Sequence, residues 1–191
     1  MAGSRFVDTM LTSASDVPIA YRMTMPRPHP AQIDDNELLS QCDVRRQRRS
    51  GPGGQHRNKV ETGVFLEHRP TGVRAEATEK RSQPKNQETA LRRLRLNLAI
   101  QVRTDASDDP SALWLSRIQG SKIVVSEQHA DFATLLSESL DTIAARTWDV
   151  KSAAEHLRCT SSQLIKFLKK EPRAFALINQ ERTAVGLGIL K

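Results

Sequence analysis

Two adjacent glycines followed by a glutamine, Gly53-Gly54-Gln55, sit inside a dense field of cations. Neither glycine carries a Cβ, so the backbone can take positive φ there and approach another molecule more closely than any other residue pair allows. Glutamine does not titrate, which removes it from ordinary general-base roles. Its side-chain amide and backbone N–H can still orient a water and donate to developing negative charge. These residue types in this order suit hydrolysis by placement, on an ester borne by RNA. The cations are Arg45, Arg46, Arg48 and Arg49 before the glycines, Arg57 and Lys59 just after them, and Arg81 and Lys85 further on. Clustered around one loop, they read as an RNA-docking surface rather than as a solvated strand face.

The elements that must position this loop are legible in the pattern. Asp43 to Arg49 reads as a strand whose end presents the loop, and Gln55 to Glu61 as a short helical turn. Thr62 to His68 reads as a half-buried strand with Val64 and Leu66 on one face, and Pro70-Thr71-Gly72 as a turn. Val73 to Thr78 then pairs back as the second arm of a hairpin. Pro84 suits the first turn of a helix, and Ala90, Leu91, Leu94, Leu98 and Val102 form an apolar stripe that can cover the sheet. The expected fold class is therefore α+β: a small antiparallel sheet with a covering helix, followed by a small all-α helical module. Residues 1–32 read as a disordered leader, 33–104 as the loop-bearing domain, and 111–191 as the module, with the polar, Pro-terminated stretch 105–110 between them. In the module, helices are expected around Phe132–Ile143, Val150–Leu157, Ser161–Lys170 and Pro172–Thr183, with Thr160 and Gln163 forming a capping box. Trp114 and Trp148 are expected as core or interface anchors.

Other chemistries fit less well. No Gly-Lys-Ser/Thr closes a phosphate-cradling loop, and Gly-Pro-Gly-Gly-Gln-His lacks the third glycine of a dinucleotide fingerprint. Ser50, His56 and Asp43 contain the residue types of a nucleophilic triad, but nothing in the sequence positions the three. His56 reads as part of the loop and His68 as a strand-surface residue, not as metal ligands. Cys42 and Cys159 lack metal-ligand spacing. No metal or cofactor is expected.

The run S-G-P-G-G-Q-H-x-N-K, the following V-E-T-G-V-F-L-E-H-R-P-T-G-V and the later R-S-Q-P-K-N form three matches at mutually consistent spacing. Together they make the stretch from about Asp43 to Ala99 resemble the catalytic domain of class I peptide chain release factors, including the stand-alone peptidyl-tRNA hydrolases that rescue ribosomes. That family commonly has Ala at the position of Pro52, a small apolar residue at Arg57 and often His at Pro84. The resemblance implies that Gly53, Gly54 and Gln55 act on the ester joining a peptide to transfer RNA, in the peptidyl-transferase centre. It implies that His56, Asn58 and Lys59 brace the loop, and that Arg81, Ser82, Gln83, Lys85 and Asn86 contact ribosomal RNA. Arg45, Arg48, Arg49 and Arg57 join that RNA-binding set. Gln55 is also implied as a methylation target, with a glutamine methyltransferase as a possible partner beside the ribosome and peptidyl-tRNA.

Charge supports the same partner. Residues 41–104 carry a net +9, whereas residues 1–40 carry −2 and residues 105–191 carry none, so the surplus of +7 lies in the loop-bearing segment. A concentrated positive patch attracts RNA through counterion release, and an aromatic content of 4% leaves phosphate contacts rather than base stacking to dominate. The two unpaired-looking thiols point to a reducing, cytoplasmic setting. No apolar run is long enough to cross a membrane, and the first thirty residues contain no apolar core of a secretory signal.

Full release factors carry further domains that read stop codons. The length leaves no room for them, and codon-independent rescue is the expected role. Two rivals stay open: a non-catalytic ribosome- or RNA-binding protein that keeps the domain for docking, and a nucleic-acid-binding regulator acting through the C-terminal helices. Residues 153–157, a turn at Arg158-Cys159-Thr160 and a second helix with Gln163, Lys166, Lys169 and Lys170 can form a helix-turn-helix. A plain helical bundle fits the same pattern.

Overall fold

A computed structural model describes residues 24–48 and 61–191 of the protein. The order of elements is β1 (Thr24–Met25), α1 (Asp35–Ser40), β2 (Cys42–Gln47), β3 (Gly63–His68), β4 (Arg74–Ala77), α2 (Gln83–Gln101) and β5 (Arg103–Thr104). There follow α3 (Ala112–Ser116), β6 (Ile118–Gln119), β7 (Lys122–Ile123), α4 (Phe132–Ala145), α5 (Val150–His156), α6 (Ser161–Leu168) and α7 (Pro172–Ala184). This is the α+β arrangement expected from the sequence.

The sheet is antiparallel with order β2-β3-β4. Register places Cys42, Val44 and Arg46 beside His68, Leu66 and Val64, with Ala75 and Ala77 on the same face. Period-two alternation thus gives β3 one apolar face, and α2 covers it with Ala90, Leu91, Leu94 and Leu98, all buried. His68 shares that parity, so it is fully buried rather than on the strand surface. Its Nε2 donates to Gln41 Oε1 at 3.0 Å and its Nδ1 accepts from Thr71 Oγ1 at 2.7 Å, which satisfies both ring nitrogens in the neutral form. Burial, reinforced by neighbouring Arg69, lowers its pKa. Gly72, at φ +66, turns the β3–β4 hairpin in a conformation that glycine adopts without a Cβ penalty.

Residues 24–32, expected as part of a disordered leader, are packed. β1 pairs in parallel with β5, and His29, Pro30 and Ala31 are buried. His29 accepts the Ala31 N–H at Nδ1 (3.0 Å) and donates from Nε2 to Val102 O (3.1 Å). Arg95 fastens the same segment to α2 through Asp35 at 2.7 Å and Ala31 O at 3.0 Å. The polar and proline-rich composition of this stretch conceals how many specific partners it finds.

One cluster of buried side chains spans both sides of residues 105–110. It joins Leu91, Leu94 and Leu98 of α2 to Leu135, Leu136 and Leu140 of α4. Trp114 is fully buried, as its expected anchoring role requires, and its Nε1 donates to Leu157 O at 2.8 Å. Its ring meets Phe167 edge-on at 5.8 Å. Beneath this cluster lies a buried polar junction. Arg103 Nη1 meets Asp141 Oδ1 at 3.2 Å, and Thr104 Oγ1 donates to Asp141 Oδ2 at 2.6 Å. Ile123 pairs with Ile118 in a short β6–β7 hairpin turned by Gly120 at φ +62.

Candidate functional site

In the sequence, residues 49–60 connect the neighbouring strands β2 and β3. Gln47 and Gly63 form the last register pair before them. Just beyond them Arg48 Nε and Glu61 Oε1 approach to 3.6 Å, both well exposed. At this base Gly63 is tightly packed: a Cβ there would lie 3.0 Å from Gln47 O and 3.1 Å from Thr78 Cγ2, closer than ordinary Cβ contacts.

The second and third sequence matches meet at this end of the sheet. Asn86, in the first turn of α2, is fully buried. Its Nδ2 donates to Thr62 O at 2.6 Å and to Lys80 O at 3.0 Å, while its Oδ1 accepts the Lys80 N–H at 2.9 Å. One amide therefore ties the strand leaving the loop to the turn after β4 and to the start of the covering helix. Asn86 was expected to contact RNA. With its donors and acceptor engaged inside the fold, its side chain is a brace for the loop base. The residues around it remain accessible: Arg81 and Lys85 are exposed, Ser82 and Gln83 half-buried.

Arg45 and Arg48 are exposed on β2 and at its end. Arg45 lies on the face of the sheet away from α2, where its Nη2 is 3.4 Å from Glu67 Oε2. Arg74 Nε is 2.9 Å from the same carboxylate oxygen. Two guanidinium groups thus share one carboxylate and keep a positive balance, with Glu67 raising the pKa of Arg74 by hydrogen bonding and by charge. Phe65 joins Arg45, Glu67 and Arg74 in the lining of an open cleft of about 640 Å³. Arg93 and Arg173 complete its basic rim. Arg173, at the start of α7, was not anticipated: its Nη1 donates to Asn97 Oδ1 of α2 at 2.8 Å. An arginine far along the chain gives no local signal that folding returns it to the sheet. Arg49, Gly53, Gly54, Gln55, His56, Arg57, Asn58 and Lys59, with the expected helical turn 55–61 up to Val60, lie outside the described residues.

The described residues on either side of positions 49–60 form a braced base beside exposed Arg46, Arg48, Lys80, Arg81 and Lys85. Such a basic base suits approach to a polyanion. Comparison with known proteins agrees with this geometry: the RF-1 domain family matches residues 30–129, and the chain belongs to that family. Over 83 residues it is 40% identical to peptide chain release factor 1 of Acidiphilium cryptum, which covers 44% of this chain and 23% of that protein. Over 75 residues it is 41% identical to the mitochondrial peptide chain release factor 1 of Bos taurus, covering 39% and 17%. The release factor of Streptococcus pyogenes serotype M5 is 33% identical over 90 residues, covering 47% and 24%. The chain therefore spans about a quarter or less of the length of these relatives. The family match runs beyond residues 105–110 and through the β6–β7 hairpin.

Proposed function

We propose that this protein hydrolyses the ester between a nascent peptide and the terminal adenosine of transfer RNA, in the peptidyl-transferase centre of the large ribosomal subunit. The observation that supports this reading is the meeting of the second and third family motifs at one end of the sheet, where buried Asn86 holds Thr62, a few positions after Gly53-Gly54-Gln55 in the sequence. In this mechanism Gly53 and Gly54 provide the backbone conformation. The backbone N–H of Gln55 donates to the tetrahedral intermediate or to the departing ribose oxygen. Its side-chain amide admits and orients water against bulkier nucleophiles. His56, Asn58 and Lys59 brace the tip, while Arg45, Arg48, Arg81, Ser82, Gln83 and Lys85 meet ribosomal RNA. Gln55 is the position a glutamine methyltransferase would modify.

We further propose that release is codon-independent, with residues 33–104 supplying the chemistry and 111–191 a helical support. Beyond the family match, which ends at residue 129, the described residues fold as helices α4–α7, with α4 packed on α2. Release of labelled peptide from ribosomes stalled on truncated messenger, compared with ribosomes holding a stop codon, tests both statements. Gln55→Ala is expected to lower release by about 10²-fold or more, on the scale of losing a group that stabilises developing charge, with ribosome co-sedimentation retained. Unchanged release in that variant would defeat the catalytic reading. A strict requirement for a stop codon would defeat codon independence.

A further inference from the structure

We infer that the helical module carries a second RNA-binding surface, a cleft between the β6–β7 hairpin and α6 that grips the phosphate backbone without reading sequence. The inference goes beyond the release reading and concerns residues outside the loop-bearing sheet.

Four observations combine. First, α5 and α6 form a helix pair joined by a tight turn in which Arg158 takes φ 55 and Cys159 N–H donates to Ala154 O at 3.0 Å. Thr160 caps α6 by accepting the Gln163 N–H at 3.3 Å. Second, the cleft between this helix and the hairpin measures about 540 Å³ and is lined by Arg117, Lys122, Lys166, Lys170 and Gln163, with no Asp or Glu in its lining. Residues 105–191 have equal numbers of basic and acidic groups, so the folding has sorted cations onto this face. Third, the cations divide by role. Arg117 is held by Asp131 at 2.5 Å, and Lys170 Nζ donates to Val125 O, which fixes the walls. Lys122 and Lys166 are exposed and form no ion pair among the described residues. Fourth, the phenyl ring in the lining, Phe167, is 2% exposed, and the imidazole of His129 is engaged at both nitrogens, with Arg117 at 3.3 Å and the Asp131 N–H at 3.2 Å. A cleft with free cations and no phenyl or indole platform recognises phosphates rather than bases.

The test uses the full chain and a fluorescently labelled ribosomal RNA hairpin, with affinity followed by anisotropy across a salt series. The double variant Lys122→Gln/Lys166→Gln is expected to reduce the slope of log affinity against log salt by about 2 and to weaken binding by about tenfold. Lys151→Gln/Lys191→Gln, which removes the same charge outside the cleft, is expected to bind as the parent does. Equal slopes in the two double variants would overturn the inference. So would binding of polyglutamate or of anionic lipid vesicles through Lys122 and Lys166 in place of RNA. Gln55→Ala leaves this readout unchanged, so a failure of peptide hydrolysis and a failure of the second surface are separately visible.

Discussion

At the loop-bearing end of the sheet, Arg48 and Glu61 meet at 3.6 Å with side chains 63% and 51% exposed. At the junction of α2 and α4, Arg103 and Asp141 meet at 3.2 Å with side chains 10% and 3% exposed. The residue types are the same and the physics differs. An exposed pair is screened by water and salt and contributes at most about 1 kcal/mol, so its arginine stays available to an incoming polyanion. A buried pair has lost its hydration, and removing one partner strands the other. The basic segment thus contains arginines exposed to solvent, such as Arg45 and Arg48, and arginines such as Arg103, which Asp141 and the carbonyls of Ala99 and Ile100 hold inside the fold.

The strongest way to break this comparison is to remove the buried carboxylate. Asp141→Ala is expected to destabilise the protein by about 3–5 kcal/mol, measured by urea unfolding, because Arg103 and Thr104 lose a shared acceptor. A loss below about 1 kcal/mol would place the junction in the same class as the exposed pair.

His29 sharpens the contrast through pH. Burial pulls its imidazole down to about 4, from an ordinary 6.5, although its hydrogen bond to Val102 opposes the shift. A histidine lowered in the folded state contributes stability that is complete above the unfolded pKa and is lost as pH falls toward the folded one. The cost of His29→Gln should therefore shrink by about 2–3 kcal/mol between about pH 7 and about pH 4.5. Asp141 has the opposite sign. Burial raises it to about 6 despite the attraction of Arg103, so its share of stability fades as pH rises from its unfolded value toward 6. Because Asp141 is present in both the parent and the His29 variant, the difference between their unfolding curves isolates the imidazole. A cost that does not change with pH would show that the fold leaves the imidazole of His29 at its unfolded pKa.

The smallest expected effect on stability is at the site itself. Asn86→Ala leaves Thr62 O and the Lys80 backbone without their amide partner and should cost about 1–3 kcal/mol. Its distinctive readout is a fall in peptide release with ribosome binding retained, because the loop base loosens while the surface cations stay. Normal release in a folded Asn86→Ala protein would remove Asn86 from the positioning of the loop.

Local pattern made much of this legible. The β2-β3-β4 sheet, the α2 stripe and the three C-terminal helices follow from alternation, helical spacing, Pro84 and the Thr160 cap, because each depends on neighbours close in sequence. Asn86 was legible as a motif residue but not as a buried brace, since its partners Thr62 and Lys80 are chosen by tertiary packing. His68 was misplaced because a polar side chain suggests a solvated face, whereas strand parity decides its side and Gln41 and Thr71 make burial tolerable. Residues 24–32 and Arg173 were opaque for one reason: their anchoring contacts are with elements more than sixty positions away, and composition does not encode such returns.

Asn86 sits at one end of α2 and the His29–Val102 contact at the other. A helix spanning Gln83–Gln101 is about 28 Å long at 1.5 Å per residue. α2 is consequently a ruler as well as a cover. It keeps Asn86 and the entry point of the N-terminal strand at opposite ends of a rigid rod, so a fluorophore or purification handle attached ahead of Thr24 joins the fold at the end remote from Asn86.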